Sequence, residues 1–266
     1  MLTTTIVFSF LIFMTGAAIS SFLLVVTHRL RHNKKGILKG RSYCPKCKNT
    51  LRPAHLVPVF SWLLLRGKCG FCKTKIPAQY LLVEVLSGLS FLILFLKFNF
   101  LTTTPQLPIL LNLMFFLIIT GFFIAIFLYD FFYQEIPDRF SLPAIAIAVI
   151  GNLVLEKITP LDMLIGSLTI FSFFLLQFIL SKGRAIGGGD LRLGLLMGAL
   201  LGLKLGLLAL FISYIIGGIF ATILLLNKTV KGKSQIAFGP FLIVGTYLSI
   251  LYGEQLLNWY LNIINY

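Results

Sequence analysis

The chain has 266 residues, of which 58% are hydrophobic and 12% are charged, and its formal net charge is +15. Soluble domains carry about 25% charged residues, so this composition excludes an ordinary soluble domain and indicates a multi-pass membrane protein. The positive charge by itself would favour a nucleic-acid-binding protein. Its distribution along the chain favours a lipid bilayer as the partner and no nucleic acid.

Eight apolar runs are predicted to span the membrane as helices. They cover residues 3–26, 80–98, 109–129, 141–155, 161–180, 191–204, 206–226 and 237–253. The first run lacks the charged start and the small-residue cleavage site of a removed signal peptide, so we interpret it as a permanent span. Within the long apolar stretch 193–226, Lys204 is the predicted turn between two spans.

The loops between these runs differ strongly in charge. If the N-terminus is outside, the loops on the inner side carry twenty of the 23 Lys and Arg residues: Arg29, Arg31, Lys34, Lys35, Lys39, Arg41, Lys46, Lys48, Arg52, Arg66, Lys68, Lys73, Lys75, Arg139, Lys182, Arg184, Arg192, Lys228, Lys231 and Lys233. Cytoplasmic loops of membrane proteins are enriched in Lys and Arg, so this side is predicted to be cytoplasmic.

Three zones follow from this topology. Residues 1–28 form an entry helix, residues 29–79 form a basic cytoplasmic segment, and residues 80–266 form a helical membrane bundle with short loops. The predicted fold class is therefore an all-α polytopic membrane protein with about eight transmembrane helices and a small zinc-binding cytoplasmic insert.

The zinc prediction rests on four cysteines in the 29–79 segment. They occur as Cys44-Pro-Lys-Cys47 and Cys69-Gly-Phe-Cys72, separated by twenty-one residues. Paired CxxC motifs present four thiolates in the arrangement that zinc prefers, and a reducing compartment disfavours disulfides. Four cysteine ligands leave no open coordination position, so a structural role is expected.

Two aspartates lie at predicted span ends on the cytoplasmic side. Asp190 follows three glycines, Gly187 to Gly189, which allow the backbone to come close to a partner, and Asp130 follows the apolar run 109–129. Placing a carboxylate at a membrane edge costs free energy, so a specific role is expected for it. The alternative to a functional role is a helix cap for Asp190 and a residue at the membrane boundary for Asp130. Glu84, early in the second span, is either functional or paired with a basic residue.

Two nearby carboxyl groups are typical of aspartyl hydrolysis. One ionised carboxylate takes a proton from water while a protonated partner donates to the substrate carbonyl. The sequence contains no HExxH motif and no GxSxG motif, so zinc-protease and serine-hydrolase chemistry are disfavoured. The residues therefore favour an aspartyl protease that works on membrane-anchored substrates.

An ordered set of motifs extends over nearly the whole chain. It comprises Ser20-Ser21-Phe22-Leu23-Leu24-Val25-Val26, the two CxxC pairs, Val57-Pro58, Ser61-Trp62-Leu63-Leu64-Leu65-Arg66-Gly67-Lys68-Cys69, Tyr80…Glu84, Asp130…Ile136-Pro137-Asp138, Gly187-x-Gly189-Asp190 and Phe238-Gly239-Pro240-Phe241. With these motifs the chain resembles the bifunctional prepilin peptidases (type IV leader peptidases), including the competence-associated enzymes.

The resemblance implies a site and a reaction. Asp130 and Asp190 would be the catalytic pair, with Gly187 and Gly189 in the catalytic loop. The substrates would be type IV pilin-like precursors in the bacterial inner membrane, cleaved after glycine on the cytoplasmic side to remove a short basic leader. The cysteine-bearing segment would then methylate the new N-terminus from S-adenosylmethionine.

Arg66, in the cysteine-bearing segment, and Glu84, early in the second span, are candidate methyl-transfer or substrate-contact residues. The family commonly has an acidic residue just before the Leu-Val-Pro step, whereas this chain has His55. A peptidase without methyltransferase activity is therefore one alternative. A proton-coupled transporter and a non-catalytic assembly factor organised by zinc are the others, although transporter aspartates usually lie near the bilayer midplane.

Overall fold

The fold is helical throughout the described residues. The computed structural model describes residues 2–32, 40–98, 107–184, 186–227 and 236–264. These residues form α1 (Leu2–Arg31), α2 (Phe60–Leu64), α3 (Ala78–Lys97), α4 (Leu107–Tyr133), α5 (Asp138–Val154), α6 (Pro160–Ser181), α7 (Gly188–Leu226) and α8 (Gly239–Ile264). The only other elements in these ranges are a 3-10 turn, Pro53–His55, and two isolated β-bridges. The all-α prediction is confirmed.

Five of the described helices, α1, α3, α4, α6 and α7, are long and apolar enough to cross a membrane. Each predicted apolar run coincides with a helix, but α5 has only 17 residues and α7 contains two of the predicted runs. The exact number of eight spans stays a prediction. Six of the basic residues that were assigned to the inner side, Lys34, Lys35, Lys39, Lys228, Lys231 and Lys233, lie outside the described residues.

The chain divides into two compact units, Met1–Leu128 and Tyr129–Tyr266. This boundary falls inside α4, and the predicted zones 1–28, 29–79 and 80–266 stay a prediction. In the first unit α1 packs against α3 at two glycines. A methyl group on Gly16 would lie 2.7 Å from the Ser87 carbonyl oxygen, and one on Gly88 would lie 2.6 Å from the Phe13 ring. Small residues let membrane helices approach this closely.

Helix α7 is the centre of the second unit and packs against α5, α6 and α8. Its first part contacts α6 through glycine, since a methyl group on Gly194 would lie 2.8 Å from the Phe174 ring. The buried amide of Asn152 in α5 donates to the α7 carbonyls of Ala199 and Leu200, at 2.8 and 3.1 Å. Side-chain hydrogen bonds of this kind satisfy backbone oxygens that a break in a helix leaves open.

That break occurs at Gly202, whose backbone angles are φ 71° and ψ −168°. A methyl group on Gly206 would lie 3.8 Å from the Gly198 Cα, so the chain folds back and the two halves of α7 touch. The turn predicted from the sequence at Lys204 is therefore wrong by two residues. The physical reason is that glycine adopts this conformation at no steric cost, whereas lysine does not.

Asp162 holds the turn from the neighbouring helix. Its Oδ1 accepts a hydrogen bond from the Leu203 amide at 3.2 Å, and its own amide donates to Thr159 Oγ1 at 3.2 Å. The carboxylate therefore lies at the N-terminus of the second half of α7, where the helix dipole favours negative charge. Asp162 therefore has a structural role at this turn.

Candidate active site and candidate metal centre

Asp130 lies in the last turn of α4, and only 5% of its surface is exposed. The turn ends because Gln134 adopts a left-handed conformation (φ 55°) and its amide donates to the Asp130 carbonyl at 2.8 Å. The carboxylate faces Gly239, the first residue of α8. The carboxyl group at the end of this apolar helix is thus buried beside the start of α8.

Asp190 lies in the first turn of α7, as its third helical residue, and 8% of its surface is exposed. Its Oδ2 accepts a hydrogen bond from the Gly187 amide at 3.0 Å, and its amide donates to the Gly187 carbonyl at 3.1 Å. This reciprocal pair closes the start of the helix in the manner of a capping box. The capping interpretation of Asp190 and its position in a site are therefore compatible.

The two aspartates line the same cavity, which has a volume of about 1150 Å³. The cavity is bordered by the end of α4, the turn at residues 134–138, the segment before α7 and the residues before α8. Both carboxylates are buried and face this one cavity. Two neighbouring carboxylates resist double ionisation and share a proton, which is the arrangement that aspartyl hydrolysis uses.

Ile136 is the residue around which this site is packed. A methyl group on Gly189 would lie 2.6 Å from Cβ of Ile136, and one on Gly239 would lie 3.1 Å from its Cδ1. The side chain of Ile136 therefore lies against the N-termini of both α7 and α8. Since Asp190 is in the first of these helices and Asp130 faces the second, the position of this loop residue affects both carboxylates.

Arg192 fastens the same loop to α7. Its guanidinium forms an ion pair with Asp138 and donates a hydrogen bond to the Ile136 carbonyl at 3.3 Å. Asp138 is also in the first turn of α5, where a negative charge is favourable. Arg192 was predicted only as a topology charge, and the ion pair gives it a local structural role.

The three glycines before Asp190 have different surroundings. Gly187 supplies an amide to the Asp190 carboxylate, Gly189 is packed against Ile136, and a methyl group on Gly188 would meet no atom within 4 Å. Gly188 is therefore the position in this loop with open space around it. The need for glycine at 189 comes from internal packing.

The four cysteine sulfurs lie within 4.8 Å of one another, and all four thiols are unpaired by disulfides. The Sγ atoms of Cys44 and Cys72 are 3.8 Å apart. Four sulfurs bound to zinc at about 2.3 Å in a tetrahedron are about 3.8 Å apart, so the spacing fits a tetrahedral metal. This donor set could hold a metal ion, and its chemistry suits zinc.

The two CxxC motifs form matching turns. The Lys48 amide donates to the Cys44 carbonyl and the Lys73 amide donates to the Cys69 carbonyl, at 2.9 and 3.0 Å. Lys48 and Lys73, each four residues after the first cysteine of its pair, both have φ near 60° (60° and 58°). Isolated bridges, Tyr43 with Thr50 and Lys68 with Lys75, close the turns. Two similar turns thus converge on one centre.

The thiols of the cluster differ in acidity. The nearby Thr74 hydroxyl and amide lower the pKa of Cys72 to about 6, and the backbone amides of Cys47 and Lys46 lower the pKa of Cys44. The Asn49 amide acts in the same direction on Cys47, but burial and the neighbouring sulfurs raise its pKa to about 11. Mutual repulsion of this kind is relieved when the sulfurs bind a cation.

Glu84 and Arg66 have different surroundings. Glu84 is buried, and its Oε2 accepts a hydrogen bond from the Val59 amide at 2.7 Å, where Val59 has a strained φ of 65°. Arg66 is exposed, at the turn after α2. His55 packs on the second CxxC turn, with its ring 5.3 Å from that of Phe71. Glu84 thus fixes the loop before α2 to α3, which the sequence did not indicate.

From the sequence alone, no role in the site is predicted for Ile136, Arg192 or Gly239. Gly239 appeared only within a motif, and its one local signal was Pro240, which suits the first turn of a helix. No sequence pattern pairs Ile136 with Gly189 and Gly239, because these residues are separated by more than 50 and 100 positions. Their proximity is a tertiary property.

Comparison with known proteins gives two matching family models. The model of the bacterial peptidase A24 N-terminal domain matches residues 14–98, and that of the type IV leader peptidase family matches residues 116–222. No solved structure gives a significant match.

Several curated relatives carry the name prepilin leader peptidase/N-methyltransferase. The protein of Dichelobacter nodosus is 32% identical over 225 residues, which cover 83% of this chain and 74% of that protein. The protein of Neisseria gonorrhoeae is 30% identical over 232 residues (85% and 77%), and that of Bacillus subtilis is 28% identical over 258 residues (94% and 97%). The chain belongs to the type IV leader peptidase family and is a multi-pass membrane protein.

The contact between Gly189 and Ile136 predicts a difference between two neighbouring glycines. Gly189→Ala should lower the free energy of unfolding by about 1–3 kcal/mol, because the added methyl group overpacks the loop. Gly188→Ala is the matched control and should leave it unchanged, since its methyl group meets open space. Thermal unfolding of the detergent-purified variants measures both, and equal midpoints would contradict the packing.

Proposed function

We propose that the chain is a membrane-embedded aspartyl endopeptidase in which Asp130 and Asp190 activate one water molecule. The observation that carries this proposal is the placement of two buried carboxylates on one cavity, at the ends of two apolar helices. Membership of the type IV leader peptidase family supports the same reaction. A transporter would use such aspartates near the middle of a span, and here each lies in the terminal turn of its helix.

In the proposed reaction one aspartate is ionised and removes a proton from water, while the other is protonated and donates to the carbonyl oxygen of the scissile peptide. The hydroxyl adds to the carbonyl carbon, the carbon–nitrogen bond breaks, and a proton passes to the leaving amine. The cavity above Gly188 would admit an extended substrate backbone. The ion pair of Arg192 with Asp138 would hold the loop that carries Ile136 during this step.

The proposed substrates are type IV pilin-like precursors, cleaved after glycine to remove a basic leader. This part of the proposal rests on the names of the curated relatives. A precursor with a single apolar segment would lie in the same bilayer and bring its leader to the ends of α4 and α7. Binding from within the membrane suits a site at the ends of spanning helices.

Methylation of the new N-terminus from S-adenosylmethionine is proposed from the same relatives. An open cavity of about 560 Å³ in the first unit, lined by α1 and Pro58, does not fit this methyl donor, because no charged side chain lines it to bind the ammonium or carboxylate group. No step is therefore assigned to that cavity. Arg66 in the segment 29–79 and Glu84 in α3 stay the proposed methyl-transfer or substrate-contact residues.

Cleavage of a pilin-like precursor tests the peptidase. Asp130→Asn and Asp190→Asn should each reduce cleavage by at least about 1,000-fold, because each carboxyl group has a separate proton-transfer task. Glu254→Gln, an exposed carboxylate, is the matched control and should cleave normally. Precursor and product are separated on a gel, and normal cleavage by either aspartate variant at normal membrane levels would refute the mechanism.

The mass of the product in the same assay tests methylation. The wild-type product should be heavier by one methylene unit than the unmethylated peptide. Glu84→Gln keeps a hydrogen-bond acceptor for Val59, so it should leave cleavage intact and reduce only the methylated fraction, as should Arg66→Gln. An unmodified wild-type product would favour the alternative of a peptidase without methyltransferase activity.

A structural zinc ion bound by Cys44, Cys47, Cys69 and Cys72 is also proposed, on the geometry of the four sulfurs. The purified protein should contain about one zinc per chain, and a strong chelator should lower its thermal midpoint, since a segment of this size has little apolar core. The double variant Cys44→Ala/Cys47→Ala is the control, on which the chelator should have no further effect. Zinc-free protein that unfolds at the wild-type midpoint would exclude the role.

The proposed topology has about eight spans in the bacterial inner membrane, with the cysteines and both aspartates on the cytoplasmic side. Its support is the predominance of Lys and Arg on that side in the sequence. A membrane-impermeant thiol reagent should therefore leave the cysteines unlabelled in intact cells whose outer barrier is permeabilised. It should label the exposed Cys72 after lysis in the presence of a chelator. Labelling before lysis would reverse the orientation.

A further inference from the structure

The N-terminus of α8 meets the Asp130 carboxylate at Gly239. A methyl group on Gly239 would overlap Oδ2 of Asp130, which is the closest approach to this glycine. Among the described residues this Oδ2 atom is buried and has no hydrogen-bond partner. The backbone amide of Gly239 faces the same carboxylate. A buried, poorly satisfied carboxylate and a helix start are thus in contact.

The first turn of α8 leaves one amide available for this contact. The amides of Phe241 and Leu242 both donate to the Phe238 carbonyl, at 3.0 and 3.2 Å, and Pro240 has no N–H group. Among the described residues the Gly239 amide has no backbone acceptor. Unsatisfied amides at a helix start favour an anionic partner, and Asp130 is the carboxylate in reach.

The absence of a side chain at 239 is what permits the contact. Glycine is not required there by backbone conformation, because its φ is not positive. It is required by space, since a methyl group would displace either the Asp130 carboxylate or the Cδ1 atom of Ile136, 3.1 Å away. Asp190 is held in a similar way by the Gly187 amide, at 3.0 Å. Each aspartate thus has one glycine amide directed at it.

We propose that Gly239 is a positioning residue of the peptidase, whose amide and missing side chain fix the Asp130 carboxylate on the cavity that it shares with Asp190. The inference rests on the proposed function. Gly239 does not touch the substrate in this proposal and acts through Asp130. A displacement of about 1 Å of a catalytic group can cost about 100-fold in rate, so a single methyl group should have a large effect.

The test compares Gly239→Ala with wild type in cleavage of a purified pilin-like precursor. The expected result is a fall in kcat of about 100-fold with little change in KM, because substrate binding is left intact. The pH–rate profile should also shift, because the surroundings of a titrating carboxylate change. Gly218→Ala, whose methyl group meets no atom within 4 Å, is the matched control and should behave as wild type.

Other charged groups also border the cavity and contribute to the pH–rate profile. They are Glu135, Asp138, Arg184 and Arg192. All four are unchanged in the glycine variants, so a shift specific to Gly239→Ala is attributable to the aspartate pair. A profile that matches wild type would overturn the inference, as would an unchanged kcat.

A double variant separates the two contacts of residue 239. Ile136→Val removes the Cδ1 atom, so Gly239→Ala/Ile136→Val relieves the contact with Ile136 and leaves the overlap with Asp130. The expected result is that activity stays low. Recovery of wild-type kcat in the double variant would assign the defect to loop packing and overturn the inference.

A second variant applies if Gly239→Ala does not accumulate in the membrane. Pro240→Ala keeps Gly239 and adds a backbone amide to the first turn of α8, next to the residue that faces Asp130, so cleavage should stay within about threefold of wild type while the pH–rate profile shifts. An unshifted profile would overturn the inference.

Asp130→Asn is assayed in parallel and separates this inference from the proposed function. If Asp130→Asn cleaves normally, the aspartyl mechanism itself fails. If Asp130→Asn is inactive and Gly239→Ala has wild-type activity, only the role of Gly239 fails.

Discussion

The cost of placing carboxylates at the ends of apolar helices is the constraint on which the candidate site depends. A charged group in or near a bilayer needs a partner, and neither Asp130 nor Asp190 has a basic side chain as a hydrogen-bond or ion-pair partner among the described contacts. Both are instead directed at glycine amides at the starts of α7 and α8. Backbone dipoles stabilise a carboxylate without neutralising it, so the group can still exchange a proton.

Close packing between helices places these amides where they are needed. Helix α7 folds back at Gly202 and carries contacts with α5, α6 and α8, several of them through glycines that leave no room for a side chain. Apolar side chains gain little from association within lipid, so backbone approach and buried polar contacts such as Asn152 with Ala199 have a larger share in fixing such a bundle. The position of the α7 start relative to α8 is a consequence of this packing.

The cysteine-bearing segment is held together differently from the helical bundle. Its residues are too few for a large apolar core, and two matching CxxC turns bring four sulfurs into one cluster. Glu84 connects the loop between the two CxxC turns to α3, because its carboxylate accepts a hydrogen bond from the amide of Val59, whose φ is strained. A buried carboxylate that accepts a hydrogen bond from the amide of a strained residue has a structural task. A carboxylate has two acceptor oxygens, so this task does not exclude a role of Glu84 in chemistry.

Sequence by itself determined the helical membrane class, the cysteine pairs and the two aspartates as candidates. These properties are local, because hydropathy, motif spacing and the rarity of carboxylates in apolar runs can be read along the chain. Tertiary structure alone decided that the turn in α7 falls at Gly202, that Ile136 lies against Gly189 and Gly239, and that Arg192 pairs with Asp138. These contacts join residues distant in sequence, and they depend on how closely helices approach, which no local pattern encodes.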